Sequence, residues 1–284
     1  KSVVYDYSDG RRDCWWWCNS DAECGSIGKT AFGAHIICFH VGPNSGPQLI
    51  VQGGMHAREW VTSVLVAEQA KAMLREKLPA GIYFLPMTNP DGVTLALHGA
   101  ECFPNRDELV RINGGSRDFS MWKANARGVD VNCNFDARWG TGKGNLRSPA
   151  PASYIGASAE SEAETAALAR FTRRVRPALT VSYHALGREI YYEFSQTGAA
   201  LSRDEAIARA AGKFLGYRVV SGDLGSAGGY KDWCVDKLGI TALTVEIVGE
   251  DHRHPLTEKD LDGEEKNVWL PLLLAELVAE ADGG

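Results

Sequence analysis

Short apolar runs of β type alternate along the chain with longer stretches of helical period, and few folds accommodate that pattern. The runs HIICFHV (35–41), QLIVQGG (48–54), GIYFLPM (81–87), ALTVSYH (178–184), REIYYEF (188–194) and TALTVEIV (241–248) predict strands. Helical period marks 58–77, 161–175, 204–216 and 264–281, the last with Pro271 as a kink. Strands that alternate with helices imply an α/β layer fold. Several runs are apolar at nearly every position, as strands covered on both faces are. The expected fold is a mixed, largely parallel twisted sheet flanked by helices. No linker, repeat or low-complexity tract interrupts the 284 residues, so residues 1–284 read as a single domain.

The segment 98–160 breaks the alternation. It is rich in Gly, Asn, Arg, Ser and Pro and has little periodicity. A stretch this long without regular structure is usually functional.

Charge and composition narrow the function classes. A net charge of −6 argues against nucleic acid as a partner, because phosphate binding needs a basic face. No apolar run reaches the roughly 20 residues of a membrane span. The seven cysteines are irregularly spaced and contain no CxxC pair, which removes zinc-finger and thioredoxin readings. Scattered thiols in a chain this long suit a reducing compartment, so a cytoplasmic location is expected. The alternative is secretion after removal of a signal. The CWWWC segment (14–18) predicts a helix packing one or two tryptophans on the core.

A metal-binding pattern lies at LIVQGGMHAREW. A strand ends at Gly53-Gly54, and His56-x-x-Glu59 follows where a helix begins. In open α/β sheets, ligands bind beyond the carboxyl ends of strands. His184 closes the run ALTVSYH and projects from the same edge. Two histidines and a carboxylate make a catalytic zinc set, which leaves a fourth position open. Glu246 stands alone in the apolar strand TALTVEIV, where a carboxylate is costly without a role or a partner.

HxxE by itself occurs often by chance. Here GGMHAREW, NPDG (89–92), GVDVNCNFD (128–136), VSYHALG (181–187) and LTVEI (243–247) follow one another in order. Together they resemble the carboxypeptidase A family of zinc metallocarboxypeptidases, from about Gly25 to the last helix. The resemblance implies one zinc per chain, held by His56, Glu59 and His184, with Asp130 orienting the first histidine. It implies that Glu246 is the general base, and that Arg58 contacts substrate upstream of the cut. Where the family has an arginine after a tryptophan to steady the oxyanion, this chain has Trp122-Lys123, so Lys123 or the nearby Arg127 is expected in that role.

The chain also departs from the family. The Asn-Arg pair that clamps a free C-terminal carboxylate is Asn132-Cys133 here, and a thiol does not replace a bidentate guanidinium. No tyrosine occupies the loop at 222–229. Lys231 stands at the base of the pocket for the side chain after the cut, where a buried ammonium wants a carboxylate. With WKANARGVDVN, SYHALGREIYYEF and GGYKDW, these departures resemble the bacterial branch that cuts γ-D-glutamyl-diaminopimelate bonds in peptidoglycan peptides. The expected substrate is therefore a cell-wall peptide. An ordinary metallocarboxypeptidase favouring acidic C-terminal residues is one alternative, and a non-catalytic peptide-binding module is another. His35 and His40 are expected to be structural, and the HxH of His252 and His254 to form a surface turn.

Overall fold

The computed structural model describes residues 23–222 and 225–283. The CWWWC segment and loop residues Asp223 and Leu224 lie outside the described residues.

Eight strands form one sheet. They are β1 (Glu23–Lys29), β2 (His35–Val41), β3 (Gln48–Gln52), β4 (Gly81–Leu85), β5 (Leu179–Ala185), β6 (Glu189–Tyr191), β7 (Arg218–Val220) and β8 (Thr241–Ile247). Their order is β1-β2-β4-β3-β5-β8-β6-β7. The four central strands β4, β3, β5 and β8 run parallel. Antiparallel pairings join β2 to β4 and β6 to β8 at the flanks. The sheet is thus mixed, with a parallel centre, as the apolar runs predict. All six expected strands form, although 188–194 yields only the three residues of β6.

Among the described residues, seven helices accompany the sheet: α1 (Val61–Met73), α2 (Pro90–His98), α3 (Arg106–Ile112), α4 (Ala163–Val175), α5 (Gly198–Leu215), α6 (Tyr230–Leu238) and α7 (Glu265–Gly283). Successive side chains of a strand point to opposite faces. Leu49 and Val51 of β3 accordingly join a core with Leu65 of α1, Ala211 of α5 and Leu274 of α7. Ile50, between them, joins a second core with Leu168 of α4 and Trp233 of α6. Each large aliphatic side chain fully buried in this way contributes roughly 1.5–3 kcal/mol.

The irregular stretch gains α3 and a 3₁₀ turn at Val131–Cys133, and otherwise runs as coil. No described helix is long and apolar enough to cross a membrane.

Candidate active site

The parallel strands all end at one edge, and the backbone there is fixed by close packing. A Cβ on Gly53 would lie 2.6 Å from the Thr62 carbonyl oxygen of α1. Gly54 takes a positive φ of 59°, and a Cβ there would meet the Ser63 hydroxyl. Glycine at both positions lets β3 turn directly beneath the start of α1. The chain then enters a 3₁₀ turn at Ala57–Glu59, which carries His56 and Glu59 to one spot. Asn89 braces this turn by donating to the carbonyls of Met55, at 3.1 Å, and Ala124, at 3.2 Å. The Ala57 N–H donates to the Lys123 carbonyl at 3.0 Å. The segment Lys123–Ala124 is thereby tied to the metal-binding turn. His184 reaches the same spot from the end of β5, and Glu246 of β8 is its partner in register.

Three lone-pair-bearing groups converge there. His56 Nδ1 lies 3.0 Å from both carboxylate oxygens of Glu59. His184 Nδ1 lies 2.9 Å from His56 Nδ1 and 3.1 Å from Glu59 Oε2. All three residues are buried. On its other side, His56 presents Nε2 to Asp130 Oδ1 at 3.3 Å. A carboxylate there holds the ring proton on Nε2 and leaves Nδ1 as an acceptor. The cluster therefore packs acceptors against acceptors in a dry environment, an arrangement that needs a cation at its centre. Zinc bonds of about 2.0–2.1 Å place tetrahedral ligands about 3.3 Å apart, close to the separations here. The donor set fits one zinc ion.

Asp130 is fully buried and accepts from the N–H groups of Asn132, at 3.2 Å, and Ser153, at 3.1 Å. Its second oxygen is 3.5 Å from Lys123 Nζ. Burial opposes its charge, but Lys123 and His56 hold it ionised far below the usual carboxylate range. Lys123 is likewise opposed by burial, and Asp130 and Glu59 hold its ammonium above the ordinary lysine value. Glu246 is only partly buried. Its carboxyl is nonetheless pushed up to about 7, by desolvation and then by Glu59, against the pull of His184, Lys123 and Arg58.

Two cavities meet at His56 and Lys123. The first, about 310 Å³, contains Asn132, Cys133 and Lys231. Asn132 Oδ1 accepts from the Tyr230 N–H at 3.0 Å and so joins the 3₁₀ turn to α6. Burial and the neighbouring Asp130 push the Cys133 thiol up, so it stays protonated. Lys231 is 9% exposed. Its ammonium lies 2.6 Å from Asp232 Oδ1 and donates to the Glu193 carbonyl at 2.8 Å. The carboxylate that a buried lysine wants is thus supplied by the next residue. The second cavity, about 500 Å³, lies on the side of Arg58, Glu59 and Glu246.

Not every expected residue joins the site. Arg127 lines neither cavity. Its guanidinium is turned toward Glu162, at 3.8 Å, which leaves Lys123 as the cation beside the ion cluster. The expected surface turn at HxH is corrected in part. His252 does sit at a turn, bonded to Asp260 at 2.7 Å, but both it and His254 are half-buried and line the second cavity. His40 is buried against Gln48, at 3.1 Å, a structural histidine as expected. Lys143, Tyr191 and Glu193 also line the first cavity without having been singled out in the sequence. For Tyr191 a signal existed, since the period-2 alternation of REIYYEF places it on the face of Glu189, the register partner of Glu246.

This strand edge, its acceptor cluster and its paired cavities define a metallopeptidase fold and site. The chain belongs to the zinc carboxypeptidase family, whose pattern matches residues 18–270. Among its relatives is the γ-D-glutamyl-L-diamino acid endopeptidase 1 of Lysinibacillus sphaericus, 29% identical over 76% of this chain and 58% of that protein. The carboxypeptidase A of Helicoverpa armigera superposes with a TM-score of 0.73 at 19% identity, over 92% of this chain and 69% of that one. The murein-tripeptide amidase MpaA of Escherichia coli O157 superposes with a TM-score of 0.57 at 22% identity, over 95% of each chain. The chain spans about three fifths of the length of the curated relatives it matches.

Proposed function

We propose that this chain is a zinc-dependent peptidase that hydrolyses the amide between γ-D-glutamate and a diamino acid in peptidoglycan stem peptides. His56, Glu59 and His184 hold the metal, and Asp130 fixes the His56 tautomer. A zinc ion held there supplies Lewis acidity, polarising a carbonyl and acidifying water toward a pKa of about 7. Glu246 takes the proton of the attacking water and returns it to the leaving amine. Lys123 balances the negative charge that grows on the scissile carbonyl oxygen.

The observation that carries the substrate reading is the first cavity. Where a carboxypeptidase needs a guanidinium clamp, Cys133 offers a neutral thiol. The walls carry both signs of charge, with Lys123, Lys143 and Lys231 opposite Glu193 and Asp232. Such walls suit a side chain that ends in an ammonium and a carboxylate, as diaminopimelate does. Lys231 donates one hydrogen bond, to the Glu193 carbonyl, and its ammonium lies in ion-pair contact with Asp232, so it can offer further N–H groups to a substrate carboxylate while Asp232 keeps the charge balanced. The named activity of the Lysinibacillus relative supports the same bond.

The test is digestion of L-Ala-γ-D-Glu-diaminopimelate by the zinc-loaded protein, followed by mass spectrometry. Release of free diaminopimelate is expected. An intact tripeptide, with ready cleavage of an N-blocked dipeptide bearing a free C-terminus, would return the chain to the ordinary carboxypeptidases.

A further inference from the structure

The hydrolysis described above makes no use of the segment His252–His254, yet this segment forms one wall of the second cavity. Arg58 stands with it in that cavity, contributed by a chain segment almost two hundred residues earlier. Two nitrogens of this wall are buried without a hydrogen-bond partner: Nε of Arg58 and Nδ1 of His254. Arg253 is exposed at the rim, and its Nη1 donates to the carbonyls of Glu250 and His252, which are neutral partners. Among the described residues, neither guanidinium meets a carboxylate at ion-pair distance. His252 is occupied by Asp260. Of the two acids in the cavity, Glu59 belongs to the ion cluster and Glu246 to β8. The wall therefore gathers the charges of two guanidiniums beside His254, whose neutral form is favoured by burial and by Arg58, on the side of the metal away from Lys231.

The first cavity takes the residue after the cut, so the second takes the acyl side. An α-linked residue in that position spends its α-carboxyl on the scissile amide. A γ-linked glutamate keeps its α-carboxylate free, four bonds from the scissile carbonyl. We infer that Arg253 and His254, together with Arg58, form a subsite for that free α-carboxylate, and that they are specificity-determining residues for a γ-linked acidic residue upstream of the cut. This inference rests on the peptidase reading above and adds the group that distinguishes an isopeptide from an ordinary peptide. Charge-assisted hydrogen bonds from a guanidinium to a carboxylate are about twice as strong as neutral ones.

The test compares two peptides of equal size on the zinc-loaded protein: L-Ala-γ-D-Glu-diaminopimelate, and the same peptide with the glutamate α-carboxylate converted to a carboxamide. The carboxylate peptide is expected to have a kcat/KM at least about tenfold higher. R253Q and H254Q should each narrow that ratio. R253Q also removes bonds that shape the turn, so H254Q and the unmodified enzyme carry the decision if it misfolds. Calorimetric titration of both peptides into zinc-loaded E246Q supplies a readout free of turnover, with the carboxylate peptide binding more tightly. Equal kcat/KM and equal Kd for the two peptides overturn the subsite while leaving the peptidase reading intact, as does a ratio unchanged in both variants. If neither peptide is cut or bound, both readings fall together.

Discussion

The ion cluster and the pocket beside it are built from different kinds of chain. His184 lies near the end of β5 with Glu246 beside it on β8, and His56 and Glu59 lie in the short turn that follows β3, a strand paired in parallel with β5. The pocket wall is assembled from a 3₁₀ turn, a short strand and the first turn of α6, with Asn132, Tyr191 and Lys231 as representatives. Strand ends are held by ladders of hydrogen bonds and by two buried cores, so the cluster has little freedom to vary. The wall is held by local contacts, such as Asn132 with the Tyr230 N–H and Lys231 with Asp232. On the proposed function, chemistry falls to the first region and substrate choice to the second.

If that division holds, variants in the two regions will differ in kind. The largest effect is expected at Glu246. E246Q should keep its zinc and its fold but lose on the order of 10²- to 10⁴-fold in kcat, because an amide neither accepts the water proton nor carries it to the amine. Stopped assays with parallel zinc analysis check this, and near-normal turnover would move the base elsewhere. Next is Lys123. K123A should lower kcat on the order of 10²- to 10³-fold with a smaller change in KM, the mark of an oxyanion donor. A change confined to KM would place Lys123 in the wall rather than in the chemistry. D130N should weaken zinc binding about 10- to 100-fold, measured by competition with a chelator, because the His56 tautomer is no longer enforced. Lys231 belongs to the other region. K231M should leave zinc content and kcat on a neutral peptide unchanged, and reduce the preference for diaminopimelate over lysine in the peptide. Loss of zinc from this variant would break the division.

The smallest effect tests a carboxylate outside both regions. Glu164 is buried, and desolvation pushes its carboxyl up to about 7. Its folded pKa lies above the unfolded value, so its favourable contribution is complete below about pH 4.5 and disappears as pH rises through about 7. E164Q should remove that fall. The variant should be more stable than the parent at pH 8 by roughly 1–3 kcal/mol, by denaturant unfolding, with unchanged zinc content. Equal stability of the two proteins at both pH 5 and pH 8 would mean that Glu164 is ionised in the fold.

The same division explains what the sequence revealed. Apolar runs report burial on both faces, so β2, β3, β4, β5 and β8 could be read almost to the residue. His184 followed from them as a residue near a strand end, while His56 and Glu59, in the turn after β3, were legible through the HxxE spacing and the family resemblance. β1 and β7 were not legible because their residues are mixed and only partly buried, as Arg218–Val220 illustrates. The wall was harder still. Lys143 and His254 enter their cavities from coil, and coil has no period from which direction can be read. His254 looked like a surface turn because its neighbours Glu250, Asp251 and Arg253 are exposed. Lys231 was legible as a pocket residue, but its pairing with Asp232 depends on the fold of α6. Arg127, five residues from Trp122, was a reasonable candidate by distance along the chain and is excluded by the direction its side chain takes, toward Glu162.

The turn after β3 and the end of β5 bring His56, Glu59 and His184 together as ligands for one zinc ion. Elemental analysis of the purified protein, beside H56A and H184A, tests it most directly. The account predicts about one zinc per chain in the parent protein and a large loss in both variants, with the fold retained by circular dichroism. Zinc content that is unchanged in both variants would contradict it.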